Sequence, residues 1–524
     1  MNSQQNEPVF LQPPAVVSQE SPQYTVADTV YAWLSLLFAF LFCQAVPVAE
    51  HPLGGFLLIA TLYASGFVIL GLNKVKLCPA CILSAVSALV IGAALLLTNA
   101  RFLIKLSMAY SLASYCYFLY AALGNRIERG FSNYIYIDFI KILLIFPFGS
   151  FGKIFSALSN KSARKGSMFL LKILVGGVIA VVPTFLVLLL LSYDSDFMKL
   201  LNDIFSVEKN DVSHTVVSLI FSLPLGMYGF GLYASSKRKF LQEKMTAERC
   251  ANTLRGIKFL PQLTALVAAL PILFLYAVFF ISQWKYYVSG FTGLLPDAIS
   301  YAEYARQGFF ELCAVSVINL VIITVAAFFT KQGKNGTSLI LKILAPAFCL
   351  CTLILISTAV AKLVMYIDSY GLTPKRVYAM WLMALIAILF PVIAVSQFLR
   401  KPKAVALCLS AAIVMFAGLC VCDVNAVCAQ YNTDRYLAGS LETIDVDVME
   451  ELGDSAIPSL VKASEALYGN QEEYALKVQI DILLQKKLEQ IEEEDFSLFS
   501  FSVPAARAKA ALKAYAAAGQ KPAQ

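Results

Sequence analysis

Residues 404–422 read AVALCLSAAIVMFAGLCVC and contain no charged side chain. A helix needs roughly 20 apolar residues to cross the hydrocarbon core of a bilayer, and this run is long enough. Arg400 and Lys403 precede it, and Asp423 follows it. The stretch therefore predicts a membrane-spanning helix with charged residues at both ends.

The composition of the whole chain extends this prediction. Of its 524 residues, 59% are hydrophobic and 14% are charged, whereas an ordinary soluble domain has about 25% charged residues. The net charge of +7 comes from Lys and Arg in short loops between apolar runs, which is typical of a membrane protein. We therefore expect the lipid bilayer as a partner and no nucleic acid.

Similar apolar runs recur along the chain and predict about eleven spans. The predicted spans are 29–47, 52–72, 79–98, 102–123, 168–192, 213–235, 259–282, 309–330, 343–365, 377–399 and 404–422. The fold class is therefore all-α, a polytopic transmembrane helix bundle with a small C-terminal α-helical extramembrane domain.

The segment 134–151, YIYIDFIKILLIFPFGSF, differs from these spans. It is short, it carries Asp138 and Lys141, and Pro147 lies near its end. These features favour an interfacial or re-entrant helix over a twelfth span.

The distribution of positive charge predicts the orientation, because cytoplasmic loops carry an excess of Lys and Arg. The basic loops are 73–78, 124–167, 236–258, 331–334 and 400–403. The basic loops all lie on one side of the membrane only if the segment 134–151 does not cross it. The N-terminus is then cytoplasmic and residues 423–524 are extracytoplasmic.

Three regions follow from these patterns. Residues 1–28 are rich in Gln, Pro and Ser and lack Lys and Arg, so we expect a disordered N-terminal tail. Residues 29–422 form the transmembrane bundle. Residues 423–524 are polar and predict helices over 445–468, interrupted between Gly453 and Pro458, and over 471–491 and 504–518. This C-terminal domain is the expected contact for an envelope protein partner.

The candidate site residues fall into three polar clusters at the predicted outer ends of spans. They are Glu303, Arg306, Glu311 and Asn319; then Tyr366, Asp368 and Arg376; then Asp423 and Asn425. A carboxylate inside a span boundary, such as Glu311, usually faces a bundle interior or a wet cavity. The clusters either form a polar network between helices or line an outward-facing cavity, and the simpler alternative is juxtamembrane anchoring.

The turn between the spans 343–365 and 377–399 has its own pattern. Gly371 suits a helix C-terminus, and Thr373 followed by Pro374 suits an N-cap with Pro in the first helical position. This structural interpretation explains the Gly, Thr and Pro. It does not explain the surrounding Tyr366, Asp368 and Arg376.

Three stretches in this order, YAEYARQGFFEL, YIDSYGLTPKRVYAMW and DVNAVCAQYNTDRYLAG, resemble an uncharacterised family of bacterial multi-spanning membrane proteins, of the domain of unknown function 4153/4173 type. The resemblance covers roughly residues 160–470. It implies an inner-membrane protein and supplies no activity and no catalytic residues.

We expect no cofactor and no metal. The chain has two His residues, His51 and His214, and no P-loop, Rossmann, GxSxG or HExxH pattern. Cys78 and Cys81 form a CxxC pair at a helix start, where a thiol pKa can fall. The pair is predicted on the reducing side without further ligands, so a structural role is favoured over a redox or metal role.

Three functions remain open at this point. The first is a structural, sensory or assembly component of the cell envelope. The second is a secondary transporter with an outward-facing polar cavity, although no paired halves are visible. The third is a membrane enzyme acting on a lipid-linked envelope substrate through outer-face carboxylates. We favour the first, and whether the chain is an enzyme is undecided with a leaning towards no.

Overall fold

The structure is a computed structural model, and it is almost entirely helical. It describes residues 24–45, 52–128, 133–158, 211–239, 246–282, 309–331, 339–399, 403–469, 473–493 and 501–519, with a few isolated positions besides. Within these ranges there is no β-strand, and a single β-bridge joins Leu260 to Thr330. The all-α class predicted from the sequence is confirmed.

Nine helices among the described residues are long and apolar enough to cross a membrane. They are α1 (Val26–Ala45), α2 (Pro52–Leu72), α3 (Pro79–Ala94, extended by a 3-10 turn Leu95–Leu97), α4 (Arg101–Ala122), α10 (Gln262–Ser282), α11 (Phe309–Phe329), α12 (Leu339–Tyr370), α13 (Pro374–Ser396) and α14 (Ala404–Val421). All nine coincide with predicted spans.

The remaining helices lie between and after these. They are α5 (Ile135–Ile140), a π-helical turn Lys141–Ile145, α6 (Phe146–Gly149), α7 (Lys153–Leu158), α8 (Asp211–Lys237), α9 (Ala247–Ile257), α15 (Val424–Leu437), α16 (Val446–Glu451), a 3-10 turn Gly453–Ala456, α17 (Ile457–Ala466), α18 (Tyr474–Glu493) and α19 (Val503–Gly519). The 3-10 turn falls where the sequence indicated a break.

Two predicted spans are not among the nine. The span 213–235 coincides in position with α8, which is not one of the nine. The span 168–192 lies outside the described residues. The total of about eleven spans therefore stays a prediction.

Helix α1 begins earlier than expected. The predicted disordered tail ran to residue 28, but α1 starts at Val26; residues 1–23 lie outside the described part of the chain. The Thr25 N–H donates to Asp28 Oδ2 at 2.8 Å, and the Asp28 N–H donates to the Thr25 hydroxyl at 3.4 Å. This reciprocal pair resembles a capping box, in which a Ser or Thr at the N-cap exchanges hydrogen bonds with an acidic residue three positions later.

The N-terminal helices share one core. Helix α1 packs along α8, α3 packs along α4, and α2 contacts both α3 and α4. Large aromatic side chains fill the centre, among them the buried Tyr63, Phe118 and Tyr233. The segment α5–α7 packs against α8 and α1 at the end of the bundle where α1 begins.

A second core holds α10–α13 together. It is built around the buried Phe348 of α12 and Phe390 of α13, with α11 packed against both of their helices. Helix α14 packs on α13 and on α3. It therefore lies between the two halves of the membrane bundle.

The C-terminal helices α15–α19 continue the core of the membrane helices. One connected set of buried residues runs from Leu103 of α4 and Phe416 of α14 through Leu460 of α17 to Leu512 of α19. These helices are thus packed on the end of the bundle through buried apolar contacts, which are the dominant favourable term in protein packing.

Candidate functional site

The turn between α12 and α13 is held by Asn432 of α15. Its Oδ1 accepts from the Leu372 N–H at 2.6 Å, and its Nδ2 donates to the Leu372 carbonyl at 2.9 Å. Gly371 has a φ of +75°, and a Cβ there would lie 2.6 Å from Asn432 Oδ1. Both the left-handed backbone and the close approach require glycine, as the sequence indicated for this position.

The predicted residues Tyr366, Asp368 and Arg376 surround this turn. The Arg376 guanidinium lies 4.2 Å from the ring centroid of Tyr366, a cation–π contact. Its Nη1 donates to the carbonyls of Tyr370, at 3.1 Å, and Gly371. Asp368 pairs with Arg435 of α15 at 3.1 Å, with the Asp368 side chain 57% exposed. An exposed pair contributes little stability, so this contact mainly orients the turn.

Asp423 and Asn425 lie at the opposite end of α15. Asp423 is the N-cap residue and accepts from the Ala426 N–H at 3.2 Å. The Ser455 hydroxyl lies 3.0 Å from both of its carboxylate oxygens. Burial raises the pKa of Asp423 above its ordinary value, although these donors act in the opposite direction. Asn425 Nδ2 donates to the Leu452 carbonyl at 3.2 Å.

The structure therefore relates the second and third clusters through one helix. Arg435 and Asn432 near the end of α15 contact the turn, and Asp423 before its start contacts the 3-10 turn Gly453–Ala456. The two groups are separated by roughly 15 Å, since an α-helix rises 1.5 Å per residue. They anchor two ends of a helix and do not converge on one point.

The first cluster is described only in part. Glu303 and Arg306 lie outside the described residues. Glu311 is exposed on the helix bundle and interacts electrostatically with Lys362 of α12. Asn319 is fully buried and donates to the Thr352 hydroxyl at 2.9 Å, while its Oδ1 accepts from the Tyr276 hydroxyl. This chain joins α10, α11 and α12, as polar groups commonly do between membrane helices.

Two charged networks at the other end of the bundle were missed by sequence reasoning. In the first, Asp28 of α1 pairs with Lys237 of α8 at 2.5 Å. Tyr233 also donates to Asp28 Oδ1, at 3.0 Å, and Asn73, directly after α2, donates to the Tyr233 hydroxyl at 3.0 Å. The Thr-x-x-Asp spacing at 25–28 could have placed Asp28 at a helix start; its pairing with a distant Lys has no local pattern.

The second network is the pair Asp138–Lys141, whose nitrogen and oxygen are 3.6 Å apart and whose side chains are at most 3% exposed. Lys141 donates to the Tyr120 hydroxyl at 2.9 Å, and that hydroxyl lies 2.6 Å from both Asp138 Oδ1 and the Asn125 carbonyl. A tyrosine has one proton for these two acceptors. Lys141 begins the π-helical turn, a feature found frequently at functional sites.

Both thiols of the CxxC pair donate to backbone carbonyls, and the Cys78 thiol reaches the Ala121 carbonyl of α4 at 3.5 Å. The Cys81 thiol donates to the Cys78 carbonyl at 2.8 Å, and both thiols are free. Within the described ranges, no group of three or more His, Cys, Asp or Glu side chains is placed to hold a metal ion.

Comparison with protein families bears on the same clusters. A family model described as a domain of unknown function, DUF4153, matches residues 85–463, well over half of the chain. The chain belongs to this family. No curated protein and no solved structure matches it.

The DUF4153 match includes the Asn432 contact, the Asp423 cap and the Asp138–Lys141 pair. It excludes Asp28 at one end and α18 and α19 at the other. The polar side chains described in the DUF4153 region are mostly engaged with backbone groups or with each other. Such an arrangement fixes helices relative to one another and leaves the carboxylates of Asp368 and Asp423 occupied.

Proposed function

We propose that this DUF4153 protein is a structural, sensory or assembly component of a bacterial cell envelope. In this proposal it lies in the inner membrane and holds its C-terminal helices on the outer face for an envelope protein partner. The observation that carries it is the continuous core from α4 and α14 into α17 and α19. A tail built into the bundle in this way is held at a fixed position.

Polar contacts support the fixed attachment. Asn99, in the connection between α3 and α4, accepts from the Ser502 hydroxyl at 2.9 Å and donates to Asp454 at 3.3 Å. Both partners belong to the C-terminal region. We infer that the Asn432 and Asp423 contacts serve the same attachment, with Arg376 and Asp368 stabilising the turn on which α15 rests.

The C-terminal helices are also tied to each other at Asp481 of α18. Burial alone would raise the pKa of Asp481, but hydrogen bonds from Lys477, Ser464 and Tyr515 outweigh it and lower the pKa below its ordinary value. Ser464 lies on α17 and Tyr515 on α19, so one carboxylate connects three helices. A preorganised unit of this kind loses little conformational entropy on binding a partner.

One face of α18 is the surface we propose for the partner. Tyr474 and Ile482 are 66% and 63% exposed, and together with the half-buried Val478 they recur every four residues, so they lie on one side of the helix. An exposed apolar stripe bordered by charged residues suits an apolar patch on another protein. The proposed occupant is therefore an extracytoplasmic protein segment with an apolar face.

A photo-crosslinking amino acid at Tyr474 or Ile482 is expected to capture a protein in intact cells. The control position is Gln479, which is exposed but lies about 100° around the helix from the centre of the stripe. We expect several-fold less product there. Equal yields at the three positions, products containing only lipid, or a product with the mass of two copies of this chain would each refute the proposed partner.

The proposed orientation is supported by the contacts of the segment 133–158. Ser150 accepts from the Ser235 hydroxyl near the end of α8 at 2.9 Å, and the Ala157 carbonyl accepts from Thr29 at the start of α1 at 3.0 Å. Earlier in the segment, the Leu143 carbonyl accepts from the Tyr228 hydroxyl, which lies about two turns before Ser235 on α8. A segment that enters, reaches Tyr228 and returns to the same end suits a re-entrant helix, as the alternation of basic loops requires.

Alkaline phosphatase fused after Gly439 is expected to be active, and a fusion within 240–255 inactive, because the enzyme folds only on the extracytoplasmic side. One fusion lies within the basic loop 236–258 and the other lies among the C-terminal helices. Together they report on both sides of the membrane. An inactive first fusion or an active second one, at equal protein abundance, would show that the orientation is reversed or that 134–151 crosses.

A further inference from the structure

Three exposed cations lie where α4 and α13 begin. Arg101 is the first residue of α4, Lys105 lies one turn later, and Lys375 is the second residue of α13. Neither helix has an acidic residue in its first turn. Within the part of the chain that the structure describes, none of the three cations makes an ion pair. Their positive charge is therefore available to a ligand.

An aromatic contact brings the two helix starts together. The ring centroids of Phe102 and Tyr378 are 5.2 Å apart, and Phe102 is 57% exposed. Arg101 and Lys105 lie one residue before and three residues after Phe102, and Lys375 lies three residues before Tyr378. At a rise of 1.5 Å per residue, the three cations branch from the helices within about 5 Å of the level of the ring contact. They border one patch, which we call the α4–α13 edge.

The α4–α13 edge becomes apolar further along the helices. Leu106 of α4 and Leu382 of α13 lie four residues after the two rings, on the same helix faces, and are 40% and 41% exposed. Lys105 lies at the level of Leu106, where a charge facing lipid is costly unless its long side chain carries it to the headgroups. Cations followed by exposed leucines match an amphiphile with an anionic head and hydrocarbon chains.

Membrane topology does not account for these cations. In the orientation proposed above, α4 and α13 both begin on the extracytoplasmic side, where Lys and Arg are less frequent than in cytoplasmic loops. Two carboxylates beside the edge are engaged by other groups, since Asp454 accepts from Asn99 and Asp423 accepts from Ser455. An anion from outside the chain therefore suits the three cations.

We propose that the α4–α13 edge binds one anionic phospholipid, with its phosphate among the three cations and its hydrocarbon chains along Leu106 and Leu382. Guanidinium and ammonium groups are suited to phosphate oxygens, and clusters of Lys and Arg beside membrane helices recognise anionic headgroups. Helix α4 belongs to the N-terminal core and α13 to the second core, so the lipid contacts both halves of the bundle. This ligand is independent of the partner proposed for α18.

Selectivity is measured by native mass spectrometry of the full-length protein in detergent, titrated with phosphatidylglycerol or with phosphatidylcholine of the same acyl chains. Both lipids carry a phosphate, but the choline ammonium cancels the net charge of the second headgroup. We expect the first phosphatidylglycerol molecule to bind at least tenfold more tightly than the first phosphatidylcholine molecule. Equal affinities for the two lipids would overturn the proposal.

The double variant Lys105→Gln/Lys375→Gln tests the cations. We expect its affinity for phosphatidylglycerol to fall at least tenfold, since each basic residue near an anionic headgroup contributes about fivefold. The control Lys76→Gln/Lys513→Gln makes the same change in net charge at two exposed lysines outside the edge and should weaken binding less than twofold. An equal loss in the two double variants would overturn the site. If the first double variant does not fold, either of its single variants replaces it, with an expected loss of about fivefold.

A phosphatidylglycerol with a photoactivatable diazirine in its acyl chain tests the location of the lipid and the source of the phosphate. We expect labelling at Leu106 and Leu382 to be several-fold stronger than at Leu57, the sixth residue of α2, which is 38% exposed and lies outside the edge. Free glycerol phosphate in large excess should not reduce this labelling, because it lacks hydrocarbon chains. Equal labelling at the three leucines, or loss of labelling with glycerol phosphate, would overturn the assignment of a lipid to this edge.

Discussion

A Lys141→Met variant is expected to lose about 3–5 kcal/mol of unfolding free energy, because it leaves Asp138 as a buried carboxylate without its cation. Both side chains are almost fully buried. Tyr120 can donate only one proton, and the Asn125 carbonyl competes for it. The hydroxyl therefore cannot replace the charge of Lys141.

The double variant Asp138→Leu/Lys141→Met tests whether Asp138 and Lys141 stabilise the protein through their interaction with each other. Replacing both members of a buried ion pair by apolar residues is often neutral or stabilising, so we expect the double variant to be more stable than either single one. Unfolding is followed in detergent micelles by thermal and denaturant titration. If the loss of unfolding free energy in the double variant equals the sum of the losses in the two single variants, Asp138 and Lys141 act separately and the pair has no coupling energy.

An exposed pair provides the matched control. Lys486 and Glu450 lie 2.8 Å apart on α18 and α16, with side chains 57% and 46% exposed. Lys486→Met should cost less than about 1 kcal/mol. The same substitution in two environments thus measures the effect of burial.

Most of the membrane helices could be predicted because a helix facing lipid must be apolar around most of its circumference. Hydropathy alone therefore locates α12 or α14. Hydropathy also locates α8, but it does not show what α8 packs against. The Ser235 hydroxyl donates to the Phe146 carbonyl, and Gly231 leaves no space for a Cβ beside Pro147. A helix that packs tightly against another segment needs small residues at the contact, and hydropathy does not identify that segment.

The turn at Gly371 shows what local patterns can and cannot predict. Helix α12 ends at Tyr370, Gly371 is left-handed, and Thr373 is the N-cap residue before Pro374, as the sequence indicated. The contact that fixes this turn comes from Asn432, about 60 residues later. No spacing rule connects the two, because the contact depends on how α15 packs against the bundle.

Charges were the least predictable feature. In the sequence, Asp138 and Lys141 indicate an interfacial segment, since an isolated charge is expensive in a bilayer. The structure buries them together against Tyr120 of α4, and their i, i+3 spacing permits that pairing. Whether such a pair faces water or protein is a property of tertiary packing, so sequence alone does not decide it.

The second large effect is expected at Asp28, where Asp28→Asn should cost about 3–5 kcal/mol of unfolding free energy. Four donors face the carboxylate. Lys237 and Tyr233 donate to Oδ1, and the N–H and hydroxyl of Thr25 donate to Oδ2. An amide has one acceptor oxygen and a donating NH₂ group. Whichever way the Asn side chain is turned, its NH₂ group therefore faces either the Lys237 ammonium or the Thr25 N–H, neither of which can accept a hydrogen bond.

Removing the cation should cost less than changing the acceptor. In Lys237→Met the carboxylate keeps Tyr233 and Thr25, so we expect a loss of about 1.5–3 kcal/mol, the value of one hydrogen bond to a charged group. Thr25→Ala removes a cap and should cost about 1 kcal/mol. The expected order of destabilisation is therefore Asp28→Asn, Lys237→Met, Thr25→Ala. Thermal unfolding of the three purified variants in one detergent gives this order directly, and an Asp28→Asn variant as stable as Thr25→Ala would mean that the carboxylate does not join α1 to α8.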